Sequence, residues 1–302
     1  MTRDNTVRAI LTPQFEKLMD AFSKEGPVYV PHESENFRGE RRYRYEVRNS
    51  DQPFAFPEYR SLESLKTFLF RGRMKVAEYP DGPGLDTLLD TGTFFFVGAA
   101  ACDIEALKSL NAVFLQDDFT DVFYQSALDS MVLVGMDCTV PRDTCFCTLA
   151  GHGPAPREGF DLSLSPGKGY YLVEAGSETG ERIMADNATL FEPANDEMLK
   201  LRDKAREEAT RSVREQNDAY ELNRDRREIL ETQRESDAWF EHVDTCVGCA
   251  ACLFACPTCH CFLLYDQQGT DDGFERVKEW DACIYAGFSR MAGGSSPRLG
   301  IM

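Results

Sequence analysis

The run Cys246-Val247-Gly248-Cys249-Ala250-Ala251-Cys252-Leu253-Phe254-Ala255-Cys256-Pro257 constrains this chain more than any other stretch. Four thiols separated by two, two and three residues, with a proline after the last, suit an iron–sulfur cluster. Tight turns at that pitch bring the first three sulfurs onto one cubane, and in two-cluster ferredoxins the fourth turns away to a neighbouring cluster. The alternatives are four buried cysteines or a zinc knuckle. Zinc sites usually pair two C-x-x-C units across a longer gap, whereas this run is continuous and ends in Cys-Pro. The spacing favours the cluster.

A chain of 302 residues is long enough for two domains and a sizeable core. A hydrophobic share of 42% with 11% aromatics is that of a globular protein. The formal net charge of −18 argues against binding the phosphate backbone of nucleic acid or an anionic membrane surface. It suits docking onto basic patches of a protein partner. No apolar segment follows the first eight residues as a secretory signal would require. No run is long enough to cross a bilayer, so no direct membrane insertion is expected. Eleven cysteines without an export signal point to metal chemistry in a reducing cytoplasm and not to disulfides.

Taken in order, Phe15, Leu18, Met19 and Phe22 fall at helical spacing before Gly26-Pro27. Val28 to Val30 and the alternating Arg42 to Val47 read as strands. Ser61 to Arg71 reads as a short helix ending in a basic Arg71-Gly72-Arg73 turn. From residue 93 the pattern becomes strand (Thr93 to Gly98), helix (Ile104 to Phe114), helix (Phe119 to Ala127) and strand (Met131 to Met136). That order favours a parallel pairing with a right-handed crossover, whose functional groups gather beyond the carboxyl ends of the strands. Cys102 and Cys138 each sit just past one of those ends. Phe160 to Leu164 and Gly169 to Ala175 read as a hairpin. Gly176 to Gly180 matches no phosphate-binding fingerprint and reads as a turn. The expected architecture is an α/β domain with a mostly parallel or mixed sheet over residues 1–190. A charged helical connector, broken near Asn217 or Asn223, follows over 191–242, and a small ferredoxin-like α-helical domain over 243–302. The connector reads as a solvated helix with many i,i+4 pairs and no binding role.

The thiols fall into three groups. Cys102, Cys138, Cys145 and Cys147 can complete one cubane; a zinc site is the rival, and core packing of Cys102 and Cys138 the third reading. The second group is the opening run. The third is Cys259 and Cys261, flanking His260, with Cys283 further on. The last two groups hold seven cysteines, one short of two complete clusters. One partition gives Cys256, Cys259, Cys261 and Cys283 a cubane and leaves Cys246, Cys249 and Cys252 needing a fourth ligand, such as His242, His260 or a partner's residue. Another leaves one complete cluster and spare thiols. Two or three 4Fe–4S clusters are expected. No Ser/His/Asp grouping or paired-carboxylate signature occurs, and the chain has no flavin or nicotinamide fingerprint of its own. Such a protein reads as an electron carrier without catalysis of its own. The alternative is a catalytic reductase acting at a solvent-facing cluster.

The segment Ala101-Cys102-Asp103-Ile104-Glu105-Ala106-Leu107, then Cys138, then Thr144-Cys145-Phe146-Cys147, resembles the iron–sulfur beta subunit of cytoplasmic sulfhydrogenases. It is similar as well to the matching iron–sulfur component of anaerobic sulfite reductase. Cys246 to Phe262, Trp280-Asp281-Ala282-Cys283, Gly287-Phe288 and Gly293-Gly294 continue the resemblance in the same order. The resemblance implies a subunit relaying electrons between a flavin- and NAD(P)-binding partner and a terminal redox subunit. That subunit is a hydrogenase, a sulfite reductase or a heterodisulfide-reductase-like assembly. Family members continue into a second ferredoxin-type cysteine run, whereas this sequence stops at Leu299-Gly300-Ile301-Met302. The absent run would supply the fourth ligand of the Cys246, Cys249 and Cys252 cluster and partners for Cys256.

Overall fold

The computed structural model describes residues 7–37, 40–49, 61, 63–80, 82–89, 92–220, 224–269, 273–285 and 287–296. The first six residues, the segment around Asn223 and the final six residues lie outside it. In chain order the elements begin β1 (Arg8–Leu11), α1 (Thr12–Glu25), β2 (Val28–Phe37), β3 (Glu40–Val47), α2 (Lys66–Leu69) and β4 (Arg73–Tyr79). Next come α3 (Leu85–Leu88), β5 (Phe94–Ala100), α4 (Ala101–Phe114), α5 (Val122–Ser130), β6 (Met131–Met136), β7 (Leu162–Pro166) and β8 (Tyr170–Ala175). The chain ends with α6 (Glu178–Asp186), β9 (Phe191–Pro193), α7 (Asp196–Gln216), α8 (Arg226–Thr232), α9 (Asp237–Val243), α10 (Ala251–Ala255), β10 (Phe262–Gln268) and β11 (Phe274–Trp280). Two compact units form, one of Met1–Leu69 with Asp90–Ala219, the other of Phe70–Leu89 with Tyr220–Met302.

The first unit is built on an eight-stranded mixed sheet in the order β3-β2-β5-β6-β7-β8-β1-β9. The pairings β2–β5, β5–β6 and β6–β7 are parallel, and the outer ones antiparallel. Every residue of β6 is buried, which a parallel strand covered on both faces requires. On one face α1 lays Phe15, Leu18, Met19 and Phe22 against Phe95, Val97, Val132 and Val134, with Phe22 stacked on Phe95 at 4.2 Å. On the other, α4 presses Ile104 so close to Gly135 that a Cβ there would stand 2.9 Å from its Cδ1. Gly98, at φ 94°, sits where the β5–β6 register shifts between Val97 and Ala99, a bulge near the carboxyl end of the sheet. The expected strand–helix–strand unit and the β7–β8 hairpin are both present, and the mixed α/β class holds.

The charged stretch after Pro193 is not solvated throughout. In α7, Ala209 and Val213 are buried, while Met198 and Leu199 pack against Val7, Ala9 and Leu172. The helix belongs to the first unit's packing, and its Arg211–Glu215 pair keeps the i,i+4 character of the outer face. It ends at Gln216, with Asn217 as its cap.

The second unit is centred on a three-stranded antiparallel sheet, β10-β11-β4. Its third strand comes from far upstream: Arg73 to Tyr79 pairs with Phe274 to Glu279, so residues 70–89 are an insertion into the cysteine-rich unit. The division at 190 and 242 drawn from sequence therefore differs from the packed units. The Arg71-Gly72-Arg73 turn does not end a helix; α2 stops at Leu69, Arg73 opens β4, and the Gly72 carbonyl accepts from the Trp280 amide at 2.8 Å. Cross-strand ion pairs, Arg276–Asp266 at 2.8 Å and Lys75–Glu275 at 3.3 Å, tie β11 to β10 and to β4.

Candidate metal centre

All eleven cysteines are present as thiols, none more than partly shielded from solvent. Cys102 lies in the first turn of α4. Cys138 follows β6 by two residues. Because Ala100 and Met136 are register partners, Cys102 and Cys138 stand at equal offsets past the carboxyl ends of two adjacent parallel strands. Cys145 and Cys147 come from the loop that follows. There the Cys145 amide donates to the Arg142 carbonyl at 2.8 Å, and the Arg142 amide donates to Cys145 Sγ at 3.3 Å. The Cys138 amide is held by the Pro154 carbonyl at 2.8 Å, and the Cys147 carbonyl accepts from the His152 amide at 3.0 Å.

Two side chains of α7 and that of its capping residue Asn217 grip this loop. The Arg206 guanidinium takes both Asp137 oxygens, Nε to Oδ2 at 2.7 Å and Nη2 to Oδ1 at 3.1 Å, and Nη2 also reaches Ser165 Oγ at 3.0 Å. Burial works against the arginine's charge, but Asp137's hydrogen bond and charge, with Glu174 and Asp203 behind them, hold its pKa above the ordinary value. At the far end, Gln216 Nε2 donates to the carbonyls of Arg142 (3.0 Å) and Cys145 (2.7 Å), and Asn217 Nδ2 to that of Cys145 (2.8 Å). Asp137 is only 4% exposed. Replacing Arg206 by methionine strands that carboxylate, and urea unfolding of the cluster-free protein is expected to show a loss of about 3 kcal/mol. Adding Asp137→Asn to that variant is expected to recover part of it.

Beside the first turn of α4, a cavity of about 270 Å³ is lined by Ala101, Glu105, Lys108, His152 and Arg157 among others. Lys108 bridges Glu105 and Glu158, each at 2.7 Å, and these hydrogen bonds raise its pKa, Glu105's first. The charges there compensate one another.

In the second unit, the Cys246 amide donates to the Val243 carbonyl at 2.8 Å, and the Gly248 amide points at Cys246 Sγ at 3.4 Å. Gly248 (φ 68°) and Ala250 (φ 59°) both take left-handed backbone, curling the chain around Cys249. Cys252 rides on α10, whose end is closed by the Cys256 amide on the Cys252 carbonyl at 3.1 Å. Burial pushes the Cys256 thiol up, yet side-chain and backbone hydrogen bonds from Thr258 and Cys259 outweigh it and leave the pKa below the usual value. For Cys261, burial followed by the neighbouring Cys283 raises it. Cys259 is thus a neighbour of the Cys256 thiol, and Cys283 of the Cys261 thiol. Cys246, Cys249 and Cys252 lie exposed on the run. His260 keeps Nδ1 on the Thr258 carbonyl at 3.0 Å.

Among the described residues no group of three or more His, Cys, Asp or Glu side chains is already drawn together as metal ligands. The structure fixes the backbone that carries the sulfurs, with N–H groups aimed at Cys145 and Cys246, and not a closed ligand sphere. The donor set is all soft sulfur, four cysteines in the first unit and seven in the second, the chemistry a 4Fe–4S cubane takes. Arg206, Gln216 and Asn217 carry no signal in the sequence, because nothing in a charged helix says which of its residues turn inward; only Ala209 and Val213, four apart, mark the buried stripe. For β4 the alternation of Met74 and Val76 with charged residues is a signal, though a short one.

These features define an iron–sulfur protein, and residues 245–301 match the 4Fe-4S dicluster domain family. Along 285 residues the chain is 26% identical to Sulfhydrogenase 2 subunit beta of Pyrococcus furiosus, an alignment covering 94% of this chain and 81% of that protein. The resemblance seen in the separate motifs therefore extends over most of the chain, including the α/β unit outside the dicluster match. Among the described residues no helix is long and apolar enough to cross a membrane.

Proposed function

We propose that this chain is a cytoplasmic electron-relay subunit of an oxidoreductase complex, working between a flavin- and NAD(P)-binding partner and a terminal redox subunit. The observation that carries the proposal is the presence of two thiol sets on two separately folded units, Cys102, Cys138, Cys145 and Cys147 on one and Cys246 to Cys283 on the other. Bound 4Fe–4S clusters supply one-electron carriers at both sets. The chain's own part is to hold the sulfurs, direct backbone N–H groups at them and set their burial, the means by which a protein adjusts a cluster's potential. The exposed Cys246, Cys249 and Cys252 leave one set accessible to a partner's surface.

The same exposure favours a second reading, in which a reductase acts on substrate at that solvent-facing site. Anaerobic isolation with iron and sulfide analysis, followed by dye-linked assays, tests both. A relay carries iron and labile sulfide and is reduced by a low-potential dye, but turns over only when partner subunits are added. Turnover by the isolated chain selects the second reading, and zinc in place of iron overturns both.

A further inference from the structure

We propose that α7 is the positioning element of the four-thiol site on the first unit, with Arg206, Gln216 and Asn217 pinning the loop that carries Cys138, Cys145 and Cys147 at its start and around Cys145. The inference rests on the reading of that quartet as a cluster site. Residues 137–161 contain no helix or strand, whereas unstructured connections in compact domains rarely exceed about 12–15 residues. Three of the four sulfurs ride on this segment, so their spacing depends on whatever pins it.

The pins come from one rigid body. Arg206 fixes Asp137, the residue before Cys138, through two hydrogen bonds. Ten residues later, about 15 Å along the helix, Gln216 and Asn217 both donate to the Cys145 carbonyl. Asn217 is 7% exposed and also donates to the Val213 carbonyl at 2.8 Å, so its amide is itself held in place. Gln216 additionally takes the Arg142 carbonyl, the other end of the turn whose amide donates to Cys145 Sγ. The helix end therefore controls both the reach of the Cys145 sulfur and the N–H that sulfur receives. The sparse apolar positions of α7 bury it against the sheet, and its inward polar side chains fix the loop.

The test uses the anaerobically isolated full chain. Gln216→Glu and Asn217→Ala each remove donors to the Cys145 carbonyl. Gln216→Arg retains N–H donors of similar reach, and Arg211→Ala on the exposed face of α7 is the control. The readout is the rate at which chelator extracts iron from the N-terminal site, followed in a background from which the second unit's iron signal is subtracted. Gln216→Glu and Asn217→Ala are expected to speed extraction about 10–100-fold, as loss of outer support does at metal sites. Gln216→Arg and Arg211→Ala should stay near the parent rate, and the second unit's own extraction rate should not move. Gln216 lies on the surface, so its variants report even if Asn217→Ala fails to fold. Parent-like extraction in both donor-deleting variants overturns the inference while leaving the cluster reading intact. Replacing Cys102 and Cys138 by alanine without loss of iron overturns the reading, and the inference with it.

Discussion

Replacing Cys102 and Cys138 together by alanine is expected to remove one cluster, about four iron and four sulfide per chain, and to leave the remainder bound to the second unit. Topology brings the two positions together: β5 and β6 are parallel and in register at Ala100 and Met136, and each cysteine follows its register partner by two residues. Neither sulfur is part of the buried core, whose closest members are Ala101, Ile104 and Met136. Alanine in the first turn of α4 is a strong helix former, and the Cys138 amide keeps its Pro154 partner. The expected stability of the cluster-free variant is therefore that of the cluster-free parent. Iron analysis and cluster absorbance on anaerobic protein give the count. An unchanged count would place the quartet outside the iron chemistry and reduce Cys102 and Cys138 to ordinary packing residues.

Much of the first unit is legible in the sequence. The apolar runs Phe94 to Gly98 and Met131 to Met136, with a helix between them, specify parallel strands because their connection must cross over and both faces must be covered. The helical period of Phe15, Leu18, Met19 and Phe22 marks the face that α1 buries. The placement of Cys102 and Cys138 follows from the same topology. What cannot be read is long-range pairing between charged strands. Arg73 to Tyr79 meets Phe274 to Glu279 across a sequence gap that no local pattern spans, and Lys75–Glu275 and the Trp280 amide on the Gly72 carbonyl support that register. In the same way, Arg206 is one of many arginines in a charged helix, and only the fold brings Asp137 to it.

The C-terminal thiols are legible as chemistry and not as partition. Spacing alone points to Cys246 to Cys256 as cluster ligands, and the dicluster match over 245–301 agrees with that chemistry. The neighbours that act on each thiol are Cys259 for Cys256 and Cys283 for Cys261. The connection from Cys261 to Cys283 runs through the whole β10–β11 hairpin. The Asp281 amide on the Cys261 carbonyl at 3.0 Å closes its base. A hairpin bringing its two ends together is what turns a distant cysteine into a neighbour.

That hairpin leads to the second large effect: removing the clusters with chelator under reducing conditions is expected to unfold the second unit and spare the first. The described residues of the second unit bury few apolar side chains, Phe70, Ala250, Val277 and Ala282, two of them alanines. Its remaining hydrophobics are largely open to solvent, Phe240, Val247, Leu263, Leu264, Phe274 and Met291 among them. Trp280 supplies most of the organisation, donating Nε1 to the Phe70 carbonyl at 3.0 Å and stacking on Phe254 at 5.9 Å. Lys278, 4% exposed, is accommodated by the rings of Phe70 and Phe262 at 4.8 and 4.6 Å. Ala250 holds a left-handed conformation that costs a non-glycine residue about 1–2 kcal/mol. A unit with so little buried apolar surface is expected to draw its folding free energy from metal–sulfur bonds, because binding to thiols that only the fold assembles is itself folding energy. The first unit has the opposite balance, with Phe95, Val97, Val132, Val134, Leu162 and Leu164 buried beneath α1. Hydrogen exchange separates the two: after chelation, amides of β11 should exchange at nearly the unprotected rate while those of β5 and β6 keep their protection. Retained protection across β4, β10 and β11 would mean that the sheet and Trp280 suffice without metal, and that the thiols of this unit are passengers on an already stable scaffold.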